Sequence, residues 1–341
     1  MILAGAPARA ATDHVDGISD QNLPAWDGEF AYSPLAALFG DELAGGPRGQ
    51  LSLARYVLQW NAIGQPSSGP SPGGDYRERF EAWLLDVRAL GLTADVALTS
   101  YDGVYPASLA SYARALQAVL EGALALGQPV AYLEPWNEPN NQGRESAASA
   151  AALADAANGL CEALRECTVI AGDLEDSRGS VAYELAYQRA LTFAPVAWGV
   201  HPYAAVSSHD DAEVRRLRAE LPDHGAGAQL WLTEVAAFYC IRGRLRGEAR
   251  QASDAAYLLR GLIADPAVAP AHVFYYGVMG ADGRSPPCSA AGGEDGELYG
   301  PGDRPRAAAA VLLAGGGAPR WPLFGPSPAP VAPVGQLQQA E

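Results

Sequence analysis

Eight strand-like runs of seven or eight residues alternate with longer segments rich in alanine and leucine, and this alternation constrains the fold more than any other feature. The runs are HVDGISD (14–20), LARYVLQW (53–60), TADVALT (93–99), VAYLEPW (130–136), TVIAGDL (168–174), VAWGVHPY (196–203), QLWLTEVA (229–236) and AHVFYYGV (271–278). Between them lie stretches of helical length, such as YRERFEAWLLDVRAL (76–90) and ASLASYARALQAVLEGALAL (107–126). Strands separated by helices of this size form βαβ units, whose strands run parallel. The predicted fold is therefore α/β, a (β/α)8 TIM barrel forming a single domain over residues 12–316. An open doubly wound sheet is the competing architecture, but no glycine-rich phosphate fingerprint follows the first strand. Long Gly/Pro-rich segments follow the second run (64–75) and the eighth (280–305), on the face where such barrels build their sites. Residues 317–341 read as a proline-rich tail without helix or strand period.

Two of the predicted strands end in a glutamate. In Glu134-Pro135-Trp136-Asn137-Glu138-Pro139-Asn140, Pro139 stops the ladder and leaves Glu138 at the C-terminal mouth beside the Asn137 amide. In Trp231-Leu232-Thr233-Glu234 the second glutamate closes the seventh strand. In a closed barrel the ends of strands four and seven face each other across a small space. Two carboxylates meeting there suit glycosidic cleavage, in which one protonates the leaving oxygen and the other meets the oxocarbenium-like centre. Their repulsion is expected to raise the pKa of the acid.

These motifs resemble the glycoside hydrolases of clan A, with E-x-W-N-E-P-N most similar to family 39 and its relatives and family 5 next. The resemblance implies retention of configuration, with Glu138 as acid/base and Glu234 as nucleophile. It also implies that Asn137 binds the sugar 2-hydroxyl, that His201 lines the site near the acid/base, and that Tyr203 hydrogen-bonds the nucleophile. Arg55 resembles the arginine that donates to the nucleophile. The eighth strand lacks the tryptophan on which many clan members stack a sugar, and Tyr276 is the candidate substitute. Trp60, Asn61 and Trp136 are further stacking or lining candidates, although Trp136 could equally pack beneath the site. Asp20, Gln21, Tyr101 and Asp102 are candidate subsite residues. Glu134 is read as a structural ion-pair partner for a barrel arginine, Arg55 among them, which would weaken the pairing of Arg55 with Glu234. Asp173 and Glu175 are read as loop carboxylates. The run Glu294-Asp295-Gly296-Glu297 is read as a solvated loop rather than a calcium site.

Composition narrows the partners. With 39 acidic and 23 basic residues the net charge is −16, which repels phosphate backbones and anionic lipid and leaves a neutral carbohydrate as the expected ligand. No nucleic acid, membrane or cofactor is expected. No CxxC or HxxxH spacing suggests zinc, and a metal-dependent hydrolase would need His or Asp ligands at several strand ends, for which five histidines in the whole chain are few. A non-catalytic carbohydrate-binding barrel is the remaining alternative. Residues 1–11 read either as a signal-peptide remnant or as a disordered alanine-rich terminus. Four cysteines permit three pairings. On the barrel reading, Cys161–Cys167 and Cys240–Cys288 are sterically reasonable, and such bridges would favour a secreted protein. Oligomeric state, sugar identity and endo or exo action are not read from the sequence.

Overall fold

A computed structural model describes residues 12, 14–19, 51–63, 76–101, 103–141, 145–221, 228–277, 288, 295–300 and 304–313. The expected N-terminal remnant, the Pro-rich tail, the two long Gly/Pro segments and the candidates Asp20, Gln21, Asp102 and Glu294 lie outside the described residues, apart from a few positions near the end of the second segment. Eight parallel strands close into a barrel: β1 (Gly17–Ser19), β2 (Leu53–Gln59), β3 (Thr93–Thr99), β4 (Val130–Glu134), β5 (Thr168–Glu175), β6 (Ala197–His201), β7 (Gln229–Val235) and β8 (His272–Tyr276). Each neighbour in space is a neighbour in sequence, and β1 closes the ring by pairing with β8 and β2. The expected TIM barrel is the observed fold.

The outer layer includes α1 (Tyr76–Ala89), α2 (Leu109–Ala125), α3 (Ala147–Leu164), α4 (Ser180–Ala190), the short α5 (Tyr203–Ser208), α6 (Ala212–Glu220), α7 (Glu248–Tyr257) and α8 (Ala307–Leu313). Local chemistry sets several starts. Ser108 and Ser111 cap α2 reciprocally, and Ser146 accepts from Ser149 N at the start of α3. Burial of the apolar stripes then fixes these helices on the barrel: α2 buries Tyr112, Leu116, Val119, Leu120 and Ala123, which recur every three or four residues.

Along a strand, alternate residues enter the barrel, and here they change chemistry with depth. Toward the N-terminal end, Leu53, Ile170, Ala197, Trp231 and Phe274 form an apolar plug with Tyr132 against them. The Trp231 ring meets Tyr132 at 4.8 Å and Phe274 at 6.1 Å between centroids. Two residues further along the same strands come Arg55, Glu134, Gly199 and Thr233, with Asp95 in register beside Arg55. This polar layer therefore lies between the apolar cluster and the C-terminal ends of the strands.

Two disulfides brace the periphery. Cys161–Cys167 links the last turn of α3 to the approach to β5, and Cys240–Cys288 closes a separation of 48 residues after β7. The expected solvated acidic loop is corrected by the structure. Asp295 and Glu297 are buried, and Arg306 donates to Asp295 at 2.8 and 3.0 Å, so a guanidinium pairs with the buried Asp295.

Candidate active site

Arg55 is the centre of the polar layer and is completely buried. Its Nε and Nη2 donate to Glu134 at 2.8 and 2.6 Å, its Nη2 also to Asn137 Oδ1 and Asp173 Oδ2 at 2.9 Å each. Its Nη1 donates to Glu234 Oε1 at 2.5 Å and to Ser19 Oγ at 3.0 Å. The sequence set Glu134 and Glu234 in competition for this arginine. The planar, five-donor guanidinium serves both at once, one edge to each.

Above this layer, Glu234, one residue before the end of β7, has a second donor on its other oxygen, because Tyr203 OH lies 2.6 Å from Oε2. Tyr203 is placed by α5, which begins directly after His201 and Pro202 at the end of β6. Asp176 fixes that start by accepting from Ala204 N and Ala205 N at 2.9 and 2.7 Å. Burial pushes the Asp176 carboxyl up to about 7.

Glu138 reaches the same space by an irregular route. The strand β4 stops at Glu134, two residues earlier than expected, because Pro135 has no N–H for the ladder. The chain stays against the barrel through Asn137 N, which donates to Leu98 O at 2.7 Å, and Glu138 N, which donates to Asp173 O at 3.0 Å. Glu138 itself has φ 48°, a left-handed conformation unusual for glutamate. Backbone strain of this kind concentrates at functional positions. The Glu138 side chain accepts from Asn141 Nδ2 at 2.9 Å and meets His201 Nδ1 at 2.9 Å. One oxygen of Glu138, one of Glu234 and His201 Nδ1 all lie within 4.8 Å of one another.

His201 is buried, and its other nitrogen, Nε2, lies 2.6 Å from Asp173 Oδ1. Burial alone would lower its pKa, but the Asp173 and Glu234 carboxylates and its hydrogen bonds outweigh burial and raise it to about 10. His201 in turn acts on Glu138. Burial pushes this carboxyl upward, yet the His201 hydrogen bond and charge, with Asn141, bring it below the ordinary glutamate value. This corrects the expectation that repulsion by Glu234 would raise Glu138.

Asp173 also departs from the sequence reading. It is no loop carboxylate but a buried member of β5, accepting from Arg55, His201 and Thr233 Oγ1, the last at 2.7 Å. Burial works to raise its pKa, and the Arg55 and His201 charges hold it well below the usual carboxylate range. Asp95, not singled out from the sequence, lies fully buried in register with Arg55, and burial pushes it up to about 6. Its only signal is an acid in the middle of an apolar strand. Glu175 ends β5 half-buried, and burial together with Glu138 raises its pKa.

The aromatic candidates divide. Trp60 is 5% exposed and donates its indole N–H to Val104 O at 2.7 Å, while Trp136 is 4% exposed and stacks on Tyr105. Both rings face protein. Tyr276 is partly exposed at the end of β8, edge-on to Tyr203 at 6.2 Å, and Asn61 accepts from Gln59 just past β2. Tyr101 is 48% exposed and stacked on Tyr76 at 5.9 Å, with its N–H held by Gln59.

Glu134, Asp173 and His201 form one group with metal-ligand spacing, and Glu138, His201 and Glu234 another. In the first, the Arg55 guanidinium already bridges Glu134 and Asp173. In both, the His201 nitrogens are already taken up, Nδ1 by Glu138 and Nε2 by Asp173.

No protein-family model and no curated protein sequence matches the chain. Its fold, however, is that of several solved glycoside hydrolases. It superposes on a structure described as the Ignisphaera aggregans GH53 catalytic domain with TM-score 0.62 and 12% identity, covering 90% of this chain and 98% of that one. A GH30 endoxylanase from Clostridium papyrosolvens C71 aligns at TM-score 0.56 and 13% identity, over 89% of this chain and 72% of that one. An endo-β1,6-glucanase aligns at TM-score 0.61 and 13% identity, over 91% and 78%. At such identities the likeness is one of fold.

Proposed function

We propose that the protein is a retaining O-glycosidase acting on a β-linked oligo- or polysaccharide, with Glu138 as acid/base and Glu234 as nucleophile. The observation that carries this reading is that one oxygen of Glu138 and one of Glu234 lie within 4.8 Å of each other at the C-terminal ends of the strands. Retention goes with carboxyl groups about 5–5.5 Å apart, whereas inversion needs about 6.5–9.5 Å to admit a water between them. The superposable glycosidases support the same class of substrate.

The donors sort the roles. Both oxygens of Glu234 accept hydrogen bonds, from Arg55 and Tyr203, which suits an acceptor-only carboxylate that attacks the anomeric carbon. Glu138 shares a hydrogen bond with the His201 ring, which puts a proton-exchanging group beside the one that must protonate the leaving oxygen and later deprotonate water. Asn137 is held by Arg55 close to Glu138, where the sugar 2-hydroxyl is expected. Tyr276 and the half-exposed Tyr101 are the aromatic residues assigned to sugar rings. The reaction draws on these side chains alone, without metal or cofactor. The two disulfides fit an oxidising, extracellular setting.

Glu234→Ala and Glu138→Ala test the assignment on a panel of aryl glycosides and polysaccharides. Each should lower turnover by at least a factor of about 10³, the scale of losing a nucleophile or a general acid. Azide should restore part of the Glu234→Ala rate and give the inverted glycosyl azide. Wild-type rates in either variant would refute the pair.

A further inference from the structure

Asp173 is held in place at a conformational cost. Gly172 and Asp173 both have positive φ, 84° and 54°, and the register of β5 on β6 slips between Gly172 and Leu174. This bulge aims the Asp173 carboxylate at the barrel axis. The neighbouring strand makes room with Gly199, where a Cβ would lie 3.1 Å from Asp173 Cα and 2.8 Å from Thr233 Oγ1. A structural partner for Arg55 alone would need neither a bulge nor a second bonded oxygen. Here Oδ2 takes Arg55, while Oδ1 takes His201 Nε2 and Thr233. The Asp173 carbonyl also accepts Glu138 N, so one residue holds the backbone of Glu138 directly and its side chain through His201. With a carboxylate on each ring nitrogen, only a doubly protonated imidazole can donate to both.

Resting on the glycosidase reading, we propose that Asp173 is a positioning residue that locks His201 with Nδ1–H on Glu138, making Glu138 and His201 a shared holder of one proton. In the first step that proton passes from Nδ1 through Glu138 to the leaving oxygen. The glycosidic C–O bond breaks toward that oxygen while a Glu234 oxygen bonds the anomeric carbon. In the second step water bonds the anomeric carbon, the Glu234 ester breaks, and the water proton returns through Glu138 to Nδ1. The groups facing His201 are Asp173, Glu138, Glu234 Oε2 at 3.7 Å, Glu175, and the Tyr203 ring at 6.0 Å, with Arg55 behind Asp173.

Nitrogen NMR of 15N-histidine-labelled protein tests the lock without any substrate, with His201→Gln supplying the assignment. In the wild type both His201 nitrogens should carry protons at pH 8, and in Asp173→Asn the ring should become a neutral tautomer by that pH. Thr233→Val, which removes one bond to Oδ1, should shift the His201 titration in the same direction by less. A neutral His201 in the wild type at pH 7 overturns the proposal whether or not the variants fold. With active wild-type enzyme, Asp173→Asn should lower the alkaline limb of kcat/KM by at least one pH unit on 4-nitrophenyl glycosides. It should leave 2,4-dinitrophenyl glycosides, whose leaving group needs no proton, nearly unaffected. Equal losses on both overturn the proton role. A wild type inert on every glycoside would refute the glycosidase reading, and the NMR result would still decide the Asp173–His201 relation.

Discussion

At the scale of single residues, the site depends on Arg55, the buried cation among the carboxylates Glu134, Asp173 and Glu234. Removing one partner from a buried ionic network strands the others, typically at a cost of about 3–5 kcal/mol. Arg55→Met should therefore lower the urea midpoint at pH 7 substantially, by a free energy of that order, and an unchanged midpoint would show that the cluster carries no such burden. Glu138 and Glu234 were legible in the sequence because each follows a readable apolar run and sits in a motif. Asp95 and Asp173 were not, because what makes them different from surface acids is the company of Arg55, His201 and Thr233, which arrive from other strands. The pKa of Glu138 was misjudged for the same reason. Its spacing from Glu234 could be anticipated, but the His201 ring beside it is held by Asp173 from another strand.

At the scale of elements, the β5 bulge and Gly199 on β6 are complementary. Gly199→Ala would place a methyl against Asp173 backbone and Thr233, and overpacking of this sort costs about 1–3 kcal/mol. The expected outcome is a lowered Tm together with a disturbed His201 resonance. A variant as stable as the wild type would mean that the strands can separate locally. The helices supply a different case. On α4, Glu184 is 1% exposed, its Oε1 accepts from Gln188 at 3.2 Å, and its Oε2 has no hydrogen-bond partner among the described residues. Burial raises its pKa to about 8. A carboxyl raised in the folded state favours folding fully below about pH 4.5 and loses that contribution as pH climbs toward 8. Glu184→Gln should thus raise Tm at pH 8 and change it little at pH 5; a gain equal at both would refute the titration. Strand and helix positions were readable from periodicity, with β4 cut short by Pro135. The bulge was not, since nothing in Gly172-Asp173 distinguishes a bulge from a turn until β6 lies alongside.

At the scale of the whole molecule, covalent closure and charge set the conditions for stability. Cys240–Cys288 spans 48 residues and Cys161–Cys167 spans 6. By chain entropy the longer loop is worth about 4 kcal/mol and the shorter about 2 kcal/mol. Replacing Cys240 and Cys288 by serine should therefore depress Tm more than replacing Cys161 and Cys167, and the reverse order would count against the entropic account. His201, raised to about 10, favours folding fully below about pH 6.5 and loses this as pH rises through 10. It acts in the same direction as Asp176 and Glu184, so the fold should be less stable on the alkaline side. Barrel closure brings Glu138, His201 and Glu234 together, and the function proposed for that site has a stereochemical signature. The most direct test is proton NMR of the first sugar released from a cleaved aryl β-glycoside or β-glucan. The account predicts that the β-anomer appears first and then mutarotates; initial appearance of the α-anomer would contradict it.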